Sequence, residues 1–575
     1  MDEGQERYAF TWPGKADSVR QSQTVSTATL RPCVEKSRGR DGEDGSFDSD
    51  NIYIEGDNLE VLKLLQRGYH GKVKMIYIDP PYNTGHDFVY KDKFGDTIEN
   101  YKEQAGLAGQ SNADTSGRYH SDWCSMMYPR LRLARELLSD DGVIFISIDD
   151  NEDRNLRIIC DEVFGEANFV SQLIWERAYS PKNDAKYVSN SHDYVLVYAK
   201  SIERFVIGRL PRTAEANARY KNPDNDPRGP WMSDNMTVKT YSESTDYPIT
   251  TPSGRVVEPP AGRCWSLSRN AFRERLQDNR IWFGSNGDGV PRIKRFLCEL
   301  DANGMAPTSI LFYKDVGHSQ EGAKEVIDLF DGKGYFDGPK PVRLLQRCIT
   351  LANLDEGDIV LDFFSGSGST AHALFVQELG KDMRYRFILV QLPEATDPKR
   401  EAAKDGYQNI CDIGEERIRR AGDKIKAELD EFNRQLKLGE EPKRLPDIGF
   451  RVFALDDSGI ERPEPSQLIP DVVKSDRTEL DIVFEMMLKW GLELTLPVEK
   501  SDAAGYPIWS VACDELVCCM SRGLTIEALE AIADMEPRRV LILDSVLDDT
   551  LKLNAVQIFK HAGERMSCEI ELRTV

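Results

Sequence analysis

The run Met75-Ile76-Tyr77-Ile78-Asp79-Pro80-Pro81-Tyr82-Asn83 sets the reading of the whole chain. Its apolar first half, with β-branched residues, predicts a buried strand. Two consecutive prolines end that strand, because neither can donate a ladder hydrogen bond and both fix φ. Asp79 and Tyr82 should therefore stand on a stiff turn at the strand's carboxyl end. In open α/β sheets, ligands bind outside that end.

Strand–helix alternation extends on both sides. Upstream, residues 51–65 read as a short strand, a Gly-Asp turn and an amphipathic helix that Asp57 or Asn58 can cap. Residues 1–48 are polar and read as a poorly ordered arm or extended cover. Downstream, a polar loop rich in Gly, Asn and Ser runs from Thr84 to about Arg118, a length more typical of a lid or substrate loop than of filler. Helices over 123–138 and 151–164 flank a buried strand over 142–148. Segments 173–175 and 192–198 read as strands on the antiparallel edge of the same sheet.

The rhythm breaks after Lys200. Residues 203–330 are irregular and rich in Pro, Gly and aromatic residues, and they read as an inserted domain. Arg292, Lys294 and Arg295 form a basic cluster there, which a solvated face would explain as well as a binding surface. Alternation returns at Lys340: a helix over 341–354, a strand over 358–364, a glycine turn, a helix to Leu379, a strand over 386–392 and a charged helix over 415–436. From about Pro446 a small, separate α/β domain is expected, with no catalytic spacing.

Composition bounds the class. A length of 575 residues predicts three or four domains, and 40% hydrophobic with 30% charged residues is a globular balance. No run of about 18 apolar residues occurs, so no membrane span is expected. The acidic start Met1-Asp2-Glu3 has no apolar stretch of a signal peptide. The net charge of −23 argues against a general polyanion binder, but residues 203–330 hold 18 Lys and Arg against 17 Asp and Glu. Eleven scattered cysteines, with Cys518-Cys519 the one close pair, have no zinc spacing and read as thiols of a reducing cytoplasm.

Two motifs carry chemistry. Phe364-Ser365-Gly366-Ser367-Gly368 follows a buried strand and opens a helix, so its glycines allow a tight turn and close approach of a ligand. No Lys follows, so it is not a phosphate loop. A nucleotide, a flavin or S-adenosylmethionine would each fit, and Asp362 could face an amine-bearing ligand or cap the turn. Asp79-Pro80-Pro81-Tyr82 is more specific. A carboxylate and a neighbouring backbone carbonyl can hold both hydrogens of a nucleobase's exocyclic amine, which turns the nitrogen lone pair out of conjugation toward an electrophile. Tyr82 can stack on the base, which must first leave the duplex. Direct transfer then needs no cysteine nucleophile, and positioning supplies most of the acceleration.

At these residues the chain resembles the amino-group DNA methyltransferases that use S-adenosylmethionine, whose signatures are D-P-P-Y and F-x-G-x-G. D-P-P-Y ahead of an insert and a late F-x-G-x-G resembles the β class of N6-adenine methyltransferases. The segment Tyr53-Ile54-Glu55-Gly56-Asp57-Asn58-Leu59-Glu60-Val61-Leu62, the extension to D-P-P-Y-N-T-G and the strand over 387–392 resemble modification (Mod) subunits of type III restriction–modification systems. The likeness covers about residues 50–200 and 335–460, and extends to the C-terminal region.

The resemblance implies an α/β, Rossmann-like methyltransferase core assembled from two chain segments. Residues 49–202 would be its catalytic half and 331–440 its donor-binding half. Residues 203–330 would be the target recognition domain, and 441–575 a small α/β domain for assembly or contacts with DNA or a subunit. Asp79, Pro80, Pro81 and Tyr82 would hold the target adenine. Phe364, Gly366 and Gly368 would line the donor pocket, with Asp362 near the donor's amino-acid end and Asp57 at its adenine. Lys340 would belong to the donor site. The ribose would fall to Gln391 or Glu394, an assignment left open. Double-stranded DNA is the implied substrate, with a homodimer, a restriction (helicase–nuclease) subunit as partner, no metal and a cytoplasmic location. The rivals are N4-cytosine, RNA or a glutamine side chain as substrate, or a catalytically silent DNA-recognition subunit. Asp before Pro-Pro favours adenine, the insert favours DNA, and intact Asp79, Tyr82, Gly366 and Gly368 weigh against silence.

Overall fold

The computed structural model describes residues 10–84, 116–181, 183, 185–300, 304–381, 383–437, 439–460, 473–567 and 569–574. The loop expected between Thr84 and Arg118 thus falls mostly outside the described residues. The chain forms two compact units, Gly208–Pro307 and the remainder. The smaller unit is tighter than the expected insert over 203–330, and residues 308–330 belong to the larger one.

The larger unit is built on a ten-stranded sheet. In sheet order its strands are Ala28–Pro32, Arg451–Asp457, Ile52–Glu55, Arg386–Gln391, Ile359–Asp362, Val73–Ile78, Leu138–Ile148, His192–Ala199, Phe169–Glu176 and Ile310–Leu311. Arg451–Asp457 through Leu138–Ile148 run parallel, with helices covering them. Val73–Ile78 is buried along its whole length, as a central parallel strand must be. His192–Ala199 and Phe169–Glu176 add the expected antiparallel edge. From Ile359–Asp362 the chain crosses through helix Ser369–Lys381 to a neighbour on one side. From Val73–Ile78 it crosses through helix Ser116–Leu137 to a neighbour on the other. The gap outside the carboxyl ends of these two adjacent strands is therefore the switch point of the sheet. The Asp79 turn and the glycine turn both lie there. No described helix is long and apolar enough to cross a membrane.

Two ends of the chain depart from expectation. The segment expected as a loose arm supplies helix Lys15–Gln23 and the edge strand Ala28–Pro32, which pairs antiparallel with Arg451–Asp457. Leu30 is fully buried, and Arg31 reaches Asp456 and Asp481. The C-terminal region is less separate than expected. Its sheet orders Val498–Ala503, Tyr506–Val511, Leu516–Cys519, Arg539–Ile542 and Glu571–Thr574. Leu516, Cys518 and Leu541 face the core of the large sheet, whereas Val517, Cys519, Val540 and Ile542 face a second core of their own. Strand alternation thus sends Cys518 and Cys519 to opposite faces.

The smaller unit has a core of Met236, Tyr247, Trp265, Phe272, Phe283 and Ile293. Its three-stranded sheet orders Ile281–Trp282, Arg292–Phe296 and Trp231–Asn235. The basic cluster divides. Lys294 is buried against Asp224 and Asp226, whereas Arg292 and Arg295 are exposed. Gly208–Pro307 carries 15 Lys and Arg against 12 Asp and Glu, a positive balance in a chain of net charge −23.

Candidate active site

Asp79 leaves the sheet just after fully buried Ile78, and the turn behind it is pinned. Trp123 Nε1 donates to the Pro81 carbonyl at 2.7 Å. Asn83, at φ +55°, donates to buried Glu152, which also holds His120 Nδ1 at 2.6 Å and Asn155 Nδ2 at 2.7 Å. Asp79 Oδ2 accepts from Lys340 Nζ at 2.6 Å. Asp79 Oδ1 is buried with no hydrogen-bond partner, and so is the Tyr82 hydroxyl. Burial, reinforced by the Asp79 charge, raises the Tyr82 phenol well above its ordinary range, although the two groups are not aligned for a good hydrogen bond.

A cavity of about 350 Å³ opens on this turn, between Asp79 and Tyr82 on one side and Trp175, Arg177 and Asp193 on the other. Trp175 is held by its Nε1, which donates to Gly317 O at 2.9 Å. Lys340 Nζ lies 4.9 Å from the Tyr82 ring centroid and 5.9 Å from that of Trp175. Arg177 Nε and Asp193 Oδ1 are 3.0 Å apart but misaligned, so each keeps its hydrogen-bonding capacity. Burial pushes the Asp193 carboxyl up to about 6, against the pull of Arg177 and Lys340. Asp79 Oδ1, Tyr82 OH, Arg177 Nε and Asp193 Oδ1 thus all belong to residues lining one cavity. Buried polar atoms normally have partners, so this concentration marks a place where a polar ligand completes them.

The glycine turn is equally fixed. Gly366 and Gly368 sit at φ +52° and +74°. Gln391 Oε1 accepts from Gly366 N at 2.7 Å, so Gln391 braces the turn. Asp362 points inward, where its carboxylate accepts from Thr370 Oγ1 at 2.5 Å and Phe364 N at 3.1 Å. Burial pushes its carboxyl up to about 7. That is turn capping rather than an outward contact. Phe364 is buried, its ring centroid 5.4 Å from that of Phe363. Ser365 Oγ is buried without a partner beside Gly366. Asp57 caps helix Asn58–Tyr69, accepting from Leu59 N at 2.9 Å and Glu60 N at 3.2 Å.

Lys340 is where the structure departs most from the sequence reading. The family likeness implies a donor-site role for it, and the structure puts its ammonium on Asp79 at the other motif. Sequence reasoning also missed two braces. Asn58 Nδ2 donates to Phe363 O at 2.6 Å, tying its helix to the glycine turn. Fully buried Arg130 donates through Nε to Asn58 Oδ1 at 2.5 Å and through Nη1 to Met126 O at 2.7 Å, with Nη2 3.3 Å from Asp57 Oδ2. Arg130→Met is expected to cost about 3 kcal/mol of stability, because fully buried Asn58 Oδ1 loses its charged donor. A shift in the urea midpoint measures it, and a loss below about 1 kcal/mol would contradict the bracing role.

Comparison with known proteins shows the family of the chain. A family model described as DNA methylase, covering N6 and N4 methyltransferases, matches residues 73–390. The Mod subunit of the type III restriction–modification enzyme StyLTI from Salmonella typhimurium is 38% identical over 463 residues, covering 79% of this chain and 67% of that one. The EcoP15I Mod subunit from Escherichia coli is 29% identical, covering 99% and 91%. Among solved structures, the cytosine-N4-specific PvuII DNA methyltransferase is 11% identical at a TM-score of 0.32, covering 65% of this chain and 95% of that one.

Proposed function

We propose, from the premise that the chain belongs to the N6/N4 DNA methylase family, that it methylates the N6 amino group of adenine flipped out of duplex DNA. The observation that carries the reading is the cavity of about 350 Å³ lined by Asp79, Tyr82 and Trp175, where Asp79 Oδ1 and the Tyr82 hydroxyl are buried without a hydrogen-bond partner. A flipped base stacks on aromatic faces and presents a hydrogen-bonding edge, which is what those walls accept. Asp79 Oδ1 takes one amine hydrogen and the backbone of the Pro-Pro turn takes the other. The lone pair then points out of the ring plane, toward the neighbouring glycine turn.

The residues at that turn fit S-adenosylmethionine. The turn takes the left-handed conformation at Gly366 and Gly368, and Ser365 Oγ, buried between it and the strand end, lacks a partner that a polar ligand could supply. When bound, this donor supplies an electrophilic methyl group. Gln391 already holds Gly366 N, so we assign the ribose to Glu394, half-buried just past the same strand. Asp57 and Asp362 act by shaping the pocket. The positively balanced unit Gly208–Pro307 is assigned to target recognition, with Arg292 and Arg295 as exposed candidates for phosphate contacts. Its likeness to type III Mod subunits supports reading the chain as the modification subunit of such a system, and we assign it a restriction subunit and a second copy of itself as partners.

Modified-base sequencing of DNA from a host expressing the chain tests the reading. N6-methyladenine at one short motif is expected, whereas N4-methylcytosine alone, or unmodified DNA, overturns it. Trp175→Ala is expected to cost about 2 kcal/mol of base stacking, roughly thirtyfold in kcat/KM, with donor affinity unchanged. Steady-state kinetics on a duplex carrying the motif measure the effect.

A further inference from the structure

We propose that Lys340 is a positioning residue for Asp79: its ammonium takes Oδ2, so that Oδ1 is the carboxylate oxygen offered to the substrate's amino group. The inference rests on the amino-methyltransferase reading of this site. A carboxylate alone on a turn can rotate and present either oxygen. Here one oxygen is held at 2.6 Å by a cation, and the other is buried and unpartnered. A charge-assisted bond of this length is about twice as strong as a neutral one, so it fixes the plane of the group. The rings of Tyr82 and Trp175 flank the ammonium and limit where it can go.

The backbone that carries Lys340 is held just as closely. Pro339 and Pro341 flank it and fix φ on both sides. Val342 N, in the first turn of helix Val342–Ala352, donates to Glu325 Oε2 at 3.0 Å. Glu325 belongs to helix Ser319–Leu329, and Gly322 of that helix lies directly under the segment. A Cβ on Gly322 would sit 2.2 Å from Pro339 O, 2.9 Å from Pro341 N and 3.0 Å from the Lys340 carbonyl carbon. Backbone meets backbone there, so any side chain at 322 must push Lys340 away from its place.

Three variants test the proposal in the full chain: Lys340→Met, Lys340→Arg and Gly322→Ala. Each is measured for S-adenosylmethionine affinity by calorimetry, and for kcat and KM on duplex DNA at saturating donor. Lys340→Met is expected to lower kcat about a hundredfold, with donor Kd within about twofold, because only the transition-state arrangement is lost. Lys340→Arg is expected to regain about tenfold of that loss. Gly322→Ala is expected to lower kcat about tenfold or more with Lys340 itself intact. A kcat unchanged in Lys340→Met overturns the proposal. So does a donor Kd raised tenfold or more with kcat preserved, which would return Lys340 to the donor site. If Gly322→Ala does not fold, the two Lys340 variants decide alone. Absence of methyl transfer by the unaltered enzyme overturns the underlying reading as well, and is separable from either result.

Discussion

Asp79→Ala is expected to lower kcat by about a thousandfold or more, while S-adenosylmethionine affinity stays within about twofold. The two halves of this expectation come from different strands. The carboxylate stands at the end of Val73–Ile78, where Asp79 lines the cavity and its Oδ1 has no hydrogen-bond partner. Removing it takes away the acceptor that draws the amine's lone pair out of conjugation, an effect felt only as the nitrogen becomes a nucleophile. It also leaves the Lys340 ammonium, flanked by the Tyr82 and Trp175 rings, without its carboxylate. The glycine turn belongs to Ile359–Asp362 and is braced by Gln391, Asn58 and Thr370, none of which touches Asp79. Single-turnover kinetics with calorimetry separate the two quantities. Near-normal turnover would end the amine-clamp mechanism, and lost donor binding would show that the two turns are one site.

Why some of this could be read from residues alone, and some could not, follows from how local each signal is. The central strands are apolar runs closed by Pro or Gly, so Val73–Ile78, Ile359–Asp362 and Arg386–Gln391 declare themselves. The edge strand Ala28–Pro32 does not. Its sequence Ala-Thr-Leu-Arg-Pro holds one large apolar residue, and it becomes a strand by pairing with a partner more than 400 residues away. Ile310–Leu311 is too short to be seen without its neighbour. The same limit governs the site. Motif spacing identifies Asp79 and Gly366, because their chemistry needs those residue types at strand ends. It does not say that Lys340 faces Asp79, or that Gln391 turns its amide to Gly366 N. Nor does anything local distinguish Arg130, fully buried, from Arg132 two residues on, half-exposed on the same helix.

Gly368→Val is expected to abolish donor binding in calorimetry while leaving DNA affinity within about threefold. Gly368 is at φ +74°, where a β-branched residue is strained by about 1–2 kcal/mol. Space adds to the strain. A Cβ there would lie 3.0 Å from Ile418 Cγ1 and 3.2 Å from the Gly414 carbonyl oxygen. Ile418 can shift, but the carbonyl belongs to the backbone of helix Ile410–Arg434, which packs on the turn. Overpacking of this kind costs about 1–3 kcal/mol more. The turn is the part of the structure that can yield, since Gly368 opens helix Ser369–Lys381 and its N–H closes back on Ser365 O at 2.9 Å. When it moves, Gly366 leaves Gln391, and the bare backbone that receives the donor is lost. Gly368→Ala separates the terms: it keeps most of the φ strain but adds only the Cβ contact. Its donor affinity should fall about tenfold, between the unaltered chain and the valine variant. Equal donor affinity in all three proteins would place the donor elsewhere. Loss of DNA affinity alongside donor affinity would mean that Gly368 supports the whole sheet rather than one turn of it.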